Sequence, residues 1–548
     1  MTSKPIGRRA RGRVWLAGAA VVTAIVAVVV VLLVAGGTTT QRPAPLPITH
    51  PGRVGPESMF TAGSVATYTP QMLDELQALG IDSLHLYMHW NDMAPDPTAK
   101  HKPAFDANDP GQYLASGWAP FDQVVRQAAA RKMGVDLDLV APPPRWAAGP
   151  GAPKPANRHT SWKPNVALFA QWVHAAGVRY SGHYTPAGAS SPLPRVHFWS
   201  VWSEPNIGVN LGPETTHAGS AVEVAPRLYR HLLNAAWTSL QATGHGDDRI
   251  LVGELAPQGD GRSAPGLFNA MAPLRFLRAL YCVDASYQQL RGTQASLRGC
   301  PATPAASARF ATQNPGLFKA SGLAVHPYSF TSLPPNVRIP NEPDYAELAA
   351  MPTLEATLDR LQRTYGSHKK FPIWSTEYGY LTNPPNPQYT VTPERAAYYL
   401  NWAEYMTWQD PRLKSFDQFL IADPPGTTVF ATGLVTAAGQ PKPGFYAFRM
   451  PLYLPVSTTK KGSPLVVWGG ARGAPAADRS SHKRQVVQIQ FRSGTSGAFR
   501  TVDRVPITNR HGYFEVHETF PASGQVRVAW GPPHGPQQFS RIADIALR

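Results

Sequence analysis

Hydrophobic and polar positions along the chain fall into three successive patterns. Val14 to Ala35 carry no charge and are rich in Val, Ala and Leu. At about 1.5 Å per residue, a helix over this run crosses a bilayer core of about 30 Å. From about residue 69 to 421, runs with apolar positions three and four apart alternate with short β-branched and aromatic runs. That rhythm predicts helices alternating with strands of a parallel sheet. Beyond about residue 455 the apolar period drops to two, in short runs separated by Gly, Ser and Asn, which predicts antiparallel strands.

In the middle region, Thr69-Pro70 supplies a cap and a proline at the first helical position. Met72, Leu73, Leu76 and Leu79 then recur at helical spacing until Gly80 ends the run. Strands are predicted over 81–90, 135–140 and 196–202, then a fifth over 250–255, a sixth over 322–325, a seventh over 373–376 and an eighth over 416–421. Helices are predicted over 121–133, 163–180, 227–242, 354–365 and from Thr392-Pro393 to 406. The connection from 257 to 316 is long and reads as a cleft-building loop or a structural insertion. The last region offers strands over 465–468, 485–491, 499–505, 514–520 and 525–530, an antiparallel β-sandwich that covers the body or binds carbohydrate.

Charge and composition refine this picture. Arg8, Arg9, Arg11 and Arg13 precede the apolar run, so the residues after it are placed outside the cytoplasm. A cleaved signal peptide is the alternative, because Val34-Ala-Gly-Gly37 resembles a small-residue cleavage site. The formal net charge is +16, yet only 16% of residues are charged and the body has no compact basic stripe, which argues against nucleic acid as a partner. Cys282 and Cys300 are the two cysteines; in an extracytoplasmic domain they predict one local disulfide, with two free thiols as the alternative. No C-x-x-C or H-E-x-x-H spacing is present, so no metal or cofactor is expected.

Candidate chemistry sits at two strand ends. In Trp199-Ser-Val-Trp-Ser-Glu-Pro-Asn206, Val196, Phe198 and Val201 are strand formers, and Pro205 stops the strand directly after Glu204. In Phe371-Pro-Ile-Trp-Ser-Thr-Glu-Tyr-Gly379, Ile373 and Trp374 lead up to Glu377, and Gly379 breaks the run. Two glutamates closing separate hydrophobic strands point to paired-carboxylate chemistry.

W-S-E-P-N followed far downstream by W-S-T-E-Y-G resembles the acid/base and nucleophile strands of clan A glycoside hydrolases, nearest to family 39 and its relatives among bacterial polysaccharide hydrolases. The resemblance spans roughly residues 55 to 450. It implies an α/β fold of the (β/α)8 TIM-barrel type, with Glu204 as acid/base on the fourth strand and Glu377 as nucleophile on the seventh. An ionised Glu377 would then keep Glu204 protonated. His326 and Tyr328 resemble the sixth-strand pair that orients the nucleophile, and Asn206 matches the motif. Ser203 stands where many members carry a sugar-binding Asn, and His85 where many carry Arg. The eighth strand ends in Ala422-Asp-Pro-Pro425 without the customary Trp. Trp90, Trp146, Trp202 and Trp374, near strand ends, read as sugar platforms or as core.

The expected organisation is a basic cytoplasmic flank over 1–13, a transmembrane anchor over 14–36, a linker over 37–54, a catalytic barrel over 55–454 and an accessory β-sandwich over 455–548. The expected activity is retaining hydrolysis of a cell-wall glycan or exopolysaccharide at the outer side of the cell membrane, with a polysaccharide or oligosaccharide as substrate. A transglycosylase and a catalytically inactive glycan-binding barrel are the alternatives.

Overall fold

Eight short strands form one sheet: β1 (Glu57–Thr61), β2 (Ser83–His89), β3 (Gly134–Val140), β4 (Phe198–Val201), β5 (Arg249–Leu255), β6 (Gly322–Val325), β7 (Ile373–Ser375) and β8 (Ser415–Phe419). They come from a computed structural model that describes residues 53–153, 161–262, 265–336 and 341–548. Strand order is β7-β6-β5-β4-β3-β2-β1-β8, and every adjacent pair is parallel. The seam between the two end strands is closed as well. Ile373 N–H donates to the Arg412 carbonyl and Lys414 N–H to the Ile373 carbonyl, both at 2.8 Å, and the Ser415 hydroxyl donates to the Ser375 carbonyl at 2.8 Å. The sheet is therefore a closed barrel with no free edge.

Helices lie where the apolar periodicity predicts them, at Pro70–Ala78, Ala115–Ala130, Val166–Arg179, Ala225–Ala242, Met351–Thr364 and Pro393–Gln409. β1 has no counterpart among the predicted strands, because Glu-Ser-Met-Phe-Thr is too short and polar to show a periodic signal. The connection from 257 to 316 is not a bare loop; it holds the helix Pro273–Leu280 and several shorter ones. A disulfide joins Cys282 to Cys300 within it, with Cα atoms 5.6 Å apart.

Inside the barrel, Met59, Phe198, Leu251, Ala324 and Trp374 pack into one apolar layer. Trp374 meets the edge of Phe198 at 4.9 Å between ring centroids, and the Arg249 guanidinium lies over it at 4.8 Å. This tryptophan fills the barrel interior and is not a sugar platform.

The C-terminal region has β9 (Leu452–Tyr453), β10 (Thr458–Thr459), β11 (Leu465–Gly470), β12 (Val486–Ser493), β13 (Arg500–Pro506), β14 (Tyr513–Glu518), β15 (Gly524–Trp530), β16 (Gln538–Phe539) and β17 (Ala543–Leu547). They form two sheets around a separate apolar core. Pairing is antiparallel except between β10 and β17, which are parallel. All five predicted runs are strands. Of the four additional ones, β9, β10 and β16 have too few residues to show a period, whereas β17 alternates buried Ala543 and Ile545 with exposed Asp544 and Ala546.

The two regions meet across Tyr405 and Trp408 of the helix Pro393–Gln409, which cluster with Tyr453, Trp468 and Tyr513. Buried among them, the Arg472 guanidinium donates to Glu404 Oε1 and to the Phe448 carbonyl at 2.8 Å. The Tyr513 hydroxyl donates to the same Glu404 oxygen at 2.7 Å. Among the described residues no helix is long and apolar enough to cross a membrane. The predicted flank and anchor at 1–36, and the linker as far as residue 52, lie outside the described residues.

Arg472→Met leaves the Glu404 carboxylate buried beside one hydroxyl, and should lower the unfolding free energy in urea by about 3–5 kcal/mol. Adding Glu404→Gln should recover most of that loss. A single-variant loss under about 1 kcal/mol would show that this joint is held by its aromatic rings instead.

Candidate active site

β4 ends at Val201, and the chain turns through backbone that non-glycine residues rarely adopt, with φ of +72° at Trp202 and +47° at Glu204. Main-chain bonds hold the turn: Trp202 N–H donates to the Leu139 carbonyl at 3.2 Å, and Glu204 N–H to the Glu254 carbonyl at 2.8 Å. The Trp202 indole N–H donates to the Asn210 carbonyl at 2.9 Å. Together these direct the Glu204 carboxyl over the C-terminal mouth of the barrel. Glu377 lies two residues beyond β7, where Thr376 N–H donates to the Val325 carbonyl at 3.1 Å.

One imidazole brings the two carboxyls together. His326 Nδ1, just beyond β6, is 3.0 Å from Glu204 Oε1 and 3.6 Å from Glu377 Oε2. Since both distances end on the same nitrogen, the two oxygens are separated by no more than roughly 7 Å. The retaining geometry needs about 5–5.5 Å between carboxyls, and the inverting one about 6.5–9.5 Å. The Tyr328 hydroxyl donates to Glu377 Oε2 at 2.8 Å. Tyr328 thus holds Glu377, while His326 is bonded mainly to Glu204; the resemblance assigned both to the nucleophile. Asn210 Nδ2 approaches Glu204 Oε2 at 3.5 Å.

Beneath this pair lies a layer of fully buried titratable groups. His326 Nε2 is 3.2 Å from Glu254 Oε2, and Glu254 Oε1 is 3.0 Å from His85 Nε2. His85 Nδ1 is 3.1 Å from the Thr61 hydroxyl, which is 2.9 Å from Asp417 Oδ2. Asp136 accepts from the Ser200 hydroxyl at 3.0 Å, and Asp138 Oδ2 is 3.9 Å from His85 Nε2.

Burial disfavours every charge here, and neighbours decide which charges survive. Burial lowers His85, but Glu254, Asp136 and Asp417 together outweigh it, and His85 reaches about 9. Glu254 is raised by burial but is driven well below the usual carboxylate range by His85 and His326. Asp138 and Asp417 are pushed well above it by burial. Glu377 is pushed up to about 8 by burial, with the His85 charge opposing and Asp417 adding to the rise. The motif implies a readily ionised nucleophile at Glu377; burial instead makes it a carboxyl that holds its proton.

The remaining predicted site residues divide. Ser203 is half-buried next to Glu204. Trp146 is 8% exposed, and its indole N–H donates to the Pro95 carbonyl at 3.1 Å. Trp90 is fully buried and stacked on Trp172 at 5.6 Å, so it belongs to the core. Trp202 is fully buried too. Asn206 donates to the carbonyls of Ala256 and Met271 and accepts from Ala256 N–H; its side chain pins two loops and has nothing left for a sugar.

Sequence reasoning missed Thr61, Asp136, Asp138, Glu254 and Asp417. A signal existed in Val135-Asp-Leu-Asp-Leu-Val140, where carboxylates occupy alternate positions of an otherwise apolar strand. Among the described residues one group offers metal-ligand geometry: atoms of His85, Asp138 and Glu254 lie within 4.8 Å of one another. Two of the three are already joined by the His85–Glu254 pair.

No protein-family model matches the sequence, and no curated protein is similar to it. Among solved structures, a family 39 glycoside hydrolase from Bacteroides cellulosilyticus WH2 is similar over 85% of this chain and 79% of its own, at 14% identity and a TM-score of 0.43. A glucosidase from Croceicoccus marinus is similar over 90% of this chain and 94% of its own, at 13% identity and a TM-score of 0.46. A family 1 β-glucosidase from Thermotoga maritima is similar over 71% and 85%, at 13% identity and a TM-score of 0.38. These three are glycoside hydrolases.

The raised pKa of Glu377 carries a sign for stability. A carboxyl that ionises at about 4.5 in the unfolded chain but at about 8 in the fold makes the unfolded state bind fewer protons between those values. Its contribution is fully present below pH 4.5 and is lost as pH rises through 8. Glu377→Gln should therefore be more stable than the native chain at pH 8, by on the order of a few kcal/mol, and the difference should vanish near pH 4. Thermal unfolding across pH checks this; parallel curves for the two proteins would refute it.

Proposed function

We propose that this protein is a retaining glycoside hydrolase in which Glu204 is the acid/base and Glu377 the nucleophile. The observation that carries the reading is the pair of carboxyl oxygens meeting on His326 Nδ1, at 3.0 and 3.6 Å, above the C-terminal ends of β4 and β7. Active sites of (β/α) barrels are built at that end. The ceiling of roughly 7 Å on the separation admits the retaining geometry and leaves little room for a water between the carboxyls.

In the first step Glu204 gives its proton to the departing glycosidic oxygen while the Glu377 carboxylate attacks the anomeric carbon. In the second, Glu204 takes a proton from water, which attacks the same carbon and frees Glu377. The productive form needs the proton on Glu204 and the charge on Glu377. His85 and the Tyr328 hydroxyl favour that charge against burial, and His326 Nδ1 stands between the two carboxyls as the path for proton exchange. The same covalent intermediate passes to a sugar hydroxyl in a transglycosylase.

Substrate class follows from the surroundings. The apolar run at 14–36 anchors the chain, with the barrel outside the cytoplasm; the Cys282–Cys300 disulfide fits an oxidising compartment. Such a placement puts a cell-wall glycan or exopolysaccharide within reach. Alkaline carbonate washing of membranes tests the anchor: full-length protein should stay with the pellet, and release of the intact chain would refute it.

Turnover on a panel of aryl glycosides and wall glycans should fall about 10²- to 10⁴-fold in Glu204→Gln and in Glu377→Gln. With azide, Glu377→Ala should give a glycosyl azide of inverted configuration and Glu204→Ala one of retained configuration. Glycan binding without turnover by the native protein would instead identify an inactive surface module.

A further inference from the structure

Within the barrel sheet one strand is irregular. Between Val252 and Leu255 the β5–β6 register shifts, and at that point Gly253 has φ of +88°, with no room for a Cβ, which would stand 2.8 Å from the Ala324 carbonyl oxygen. A bulge re-aims the side chain beside it. The displaced strand is tied to the neighbouring one: Gly253 N–H donates to the Tyr229 hydroxyl at 2.5 Å, and that hydroxyl donates to the Val201 carbonyl at 3.0 Å. The residue turned inward is Glu254.

Glu254 then reaches Glu204 by two routes. Its carbonyl accepts Glu204 N–H at 2.8 Å, fixing the positive-φ turn. Its carboxylate lies 3.2 Å from His326 Nε2, and the far nitrogen of that ring, Nδ1, lies 3.0 Å from Glu204 Oε1. The other carboxylate oxygen is 3.0 Å from His85 Nε2. A carboxylate bonded to Nε2 keeps a proton there and fixes the ring's orientation.

We propose that Glu254 is a positioning residue for the reaction: from the bulge at Gly253 it holds His326 doubly protonated, so that Nδ1–H is presented to Glu204. This rests on the assignment of Glu204 as acid/base. The ionisable groups facing this pair from the other strands are His85, Asp136, Asp138, Glu204, Glu377 and Asp417. Of these only His85 can carry positive charge, and it already lies against the opposite oxygen of Glu254. The raised pKa of His326, lowered by burial but raised by Glu204 and Glu254, accords with the same arrangement.

The test uses Glu254→Gln, which keeps shape and hydrogen bonding but removes the charge. With ¹⁵N-labelled histidine, NMR should show the His326 ring in the native protein losing its second proton above pH 6.5, and in the variant at a lower pH than in the native protein. Turnover should fall about 10²-fold in kcat with KM little changed, and Gly253→Ala should lower kcat in the same way without altering any ionisable group. If native protein turns over glycosides but Glu254→Gln matches it in both kcat and His326 titration, the positioning role is overturned while the enzyme assignment stands. If native protein lacks turnover yet the NMR shift appears, the buried fixture holds and the hydrolase reading fails. A stoichiometric metal ion found on purified protein by elemental analysis would also overturn it, since the metal would replace the proton between Glu254 and His85.

Discussion

The structure of the barrel mouth depends on one buried carboxylate held between two imidazoles. Glu254 has no solvent to share its charge, and a lone buried carboxylate costs several kcal/mol. Its oxygens lie 3.0 and 3.2 Å from His85 Nε2 and His326 Nε2, and each histidine is held in turn by a partner on another strand. Charge that would otherwise be expelled from the interior is thereby kept next to the Glu204 and Glu377 carboxyls, which both approach His326. The surrounding Asp138 and Asp417 remain tolerable because burial keeps them protonated.

That layer is also why the two glutamates differ. Glu377 stands above His85 and Asp417, donated to by Tyr328, and burial dominates its equilibrium. Glu204 stands on a backbone turn with positive φ, bonded to His326 and approached by Asn210. Two chemically identical side chains so acquire different surroundings within one mouth, which is what a division of labour between acid and nucleophile requires. His85 supplies from β2 the positive charge that the family resemblance associates with an arginine.

The C-terminal sandwich meets the seventh βα unit through one helix, and is bonded besides to Asp82 by His511 and to the Phe448 carbonyl by Arg472. β7 leads to Glu377, and the helix Pro393–Gln409 that follows carries Glu404, Tyr405 and Trp408 into the joint with Arg472, Trp468 and Tyr513. Aromatic packing and a buried ion pair at that joint make the sandwich a brace for the seventh βα unit.

Much of this was legible in the chain. Helical and strand periods, proline and glycine stops, and two strand-end glutamates set out the alternation of elements and the ends of β4 and β7, because those signals are local and follow the backbone geometry of each element. Tertiary structure alone decided which inward positions face one another. Glu254, His85, Asp138 and Asp417 lie on four different strands, and no spacing in sequence reports that barrel closure sets them in one layer. Trp90, Trp374 and Asn206 sit near strand ends like true site residues, yet they point into the core or are spent on loop carbonyls. Proximity to a strand end is written in the sequence, whereas the direction of a side chain depends on the register, bulges and closure of the whole sheet.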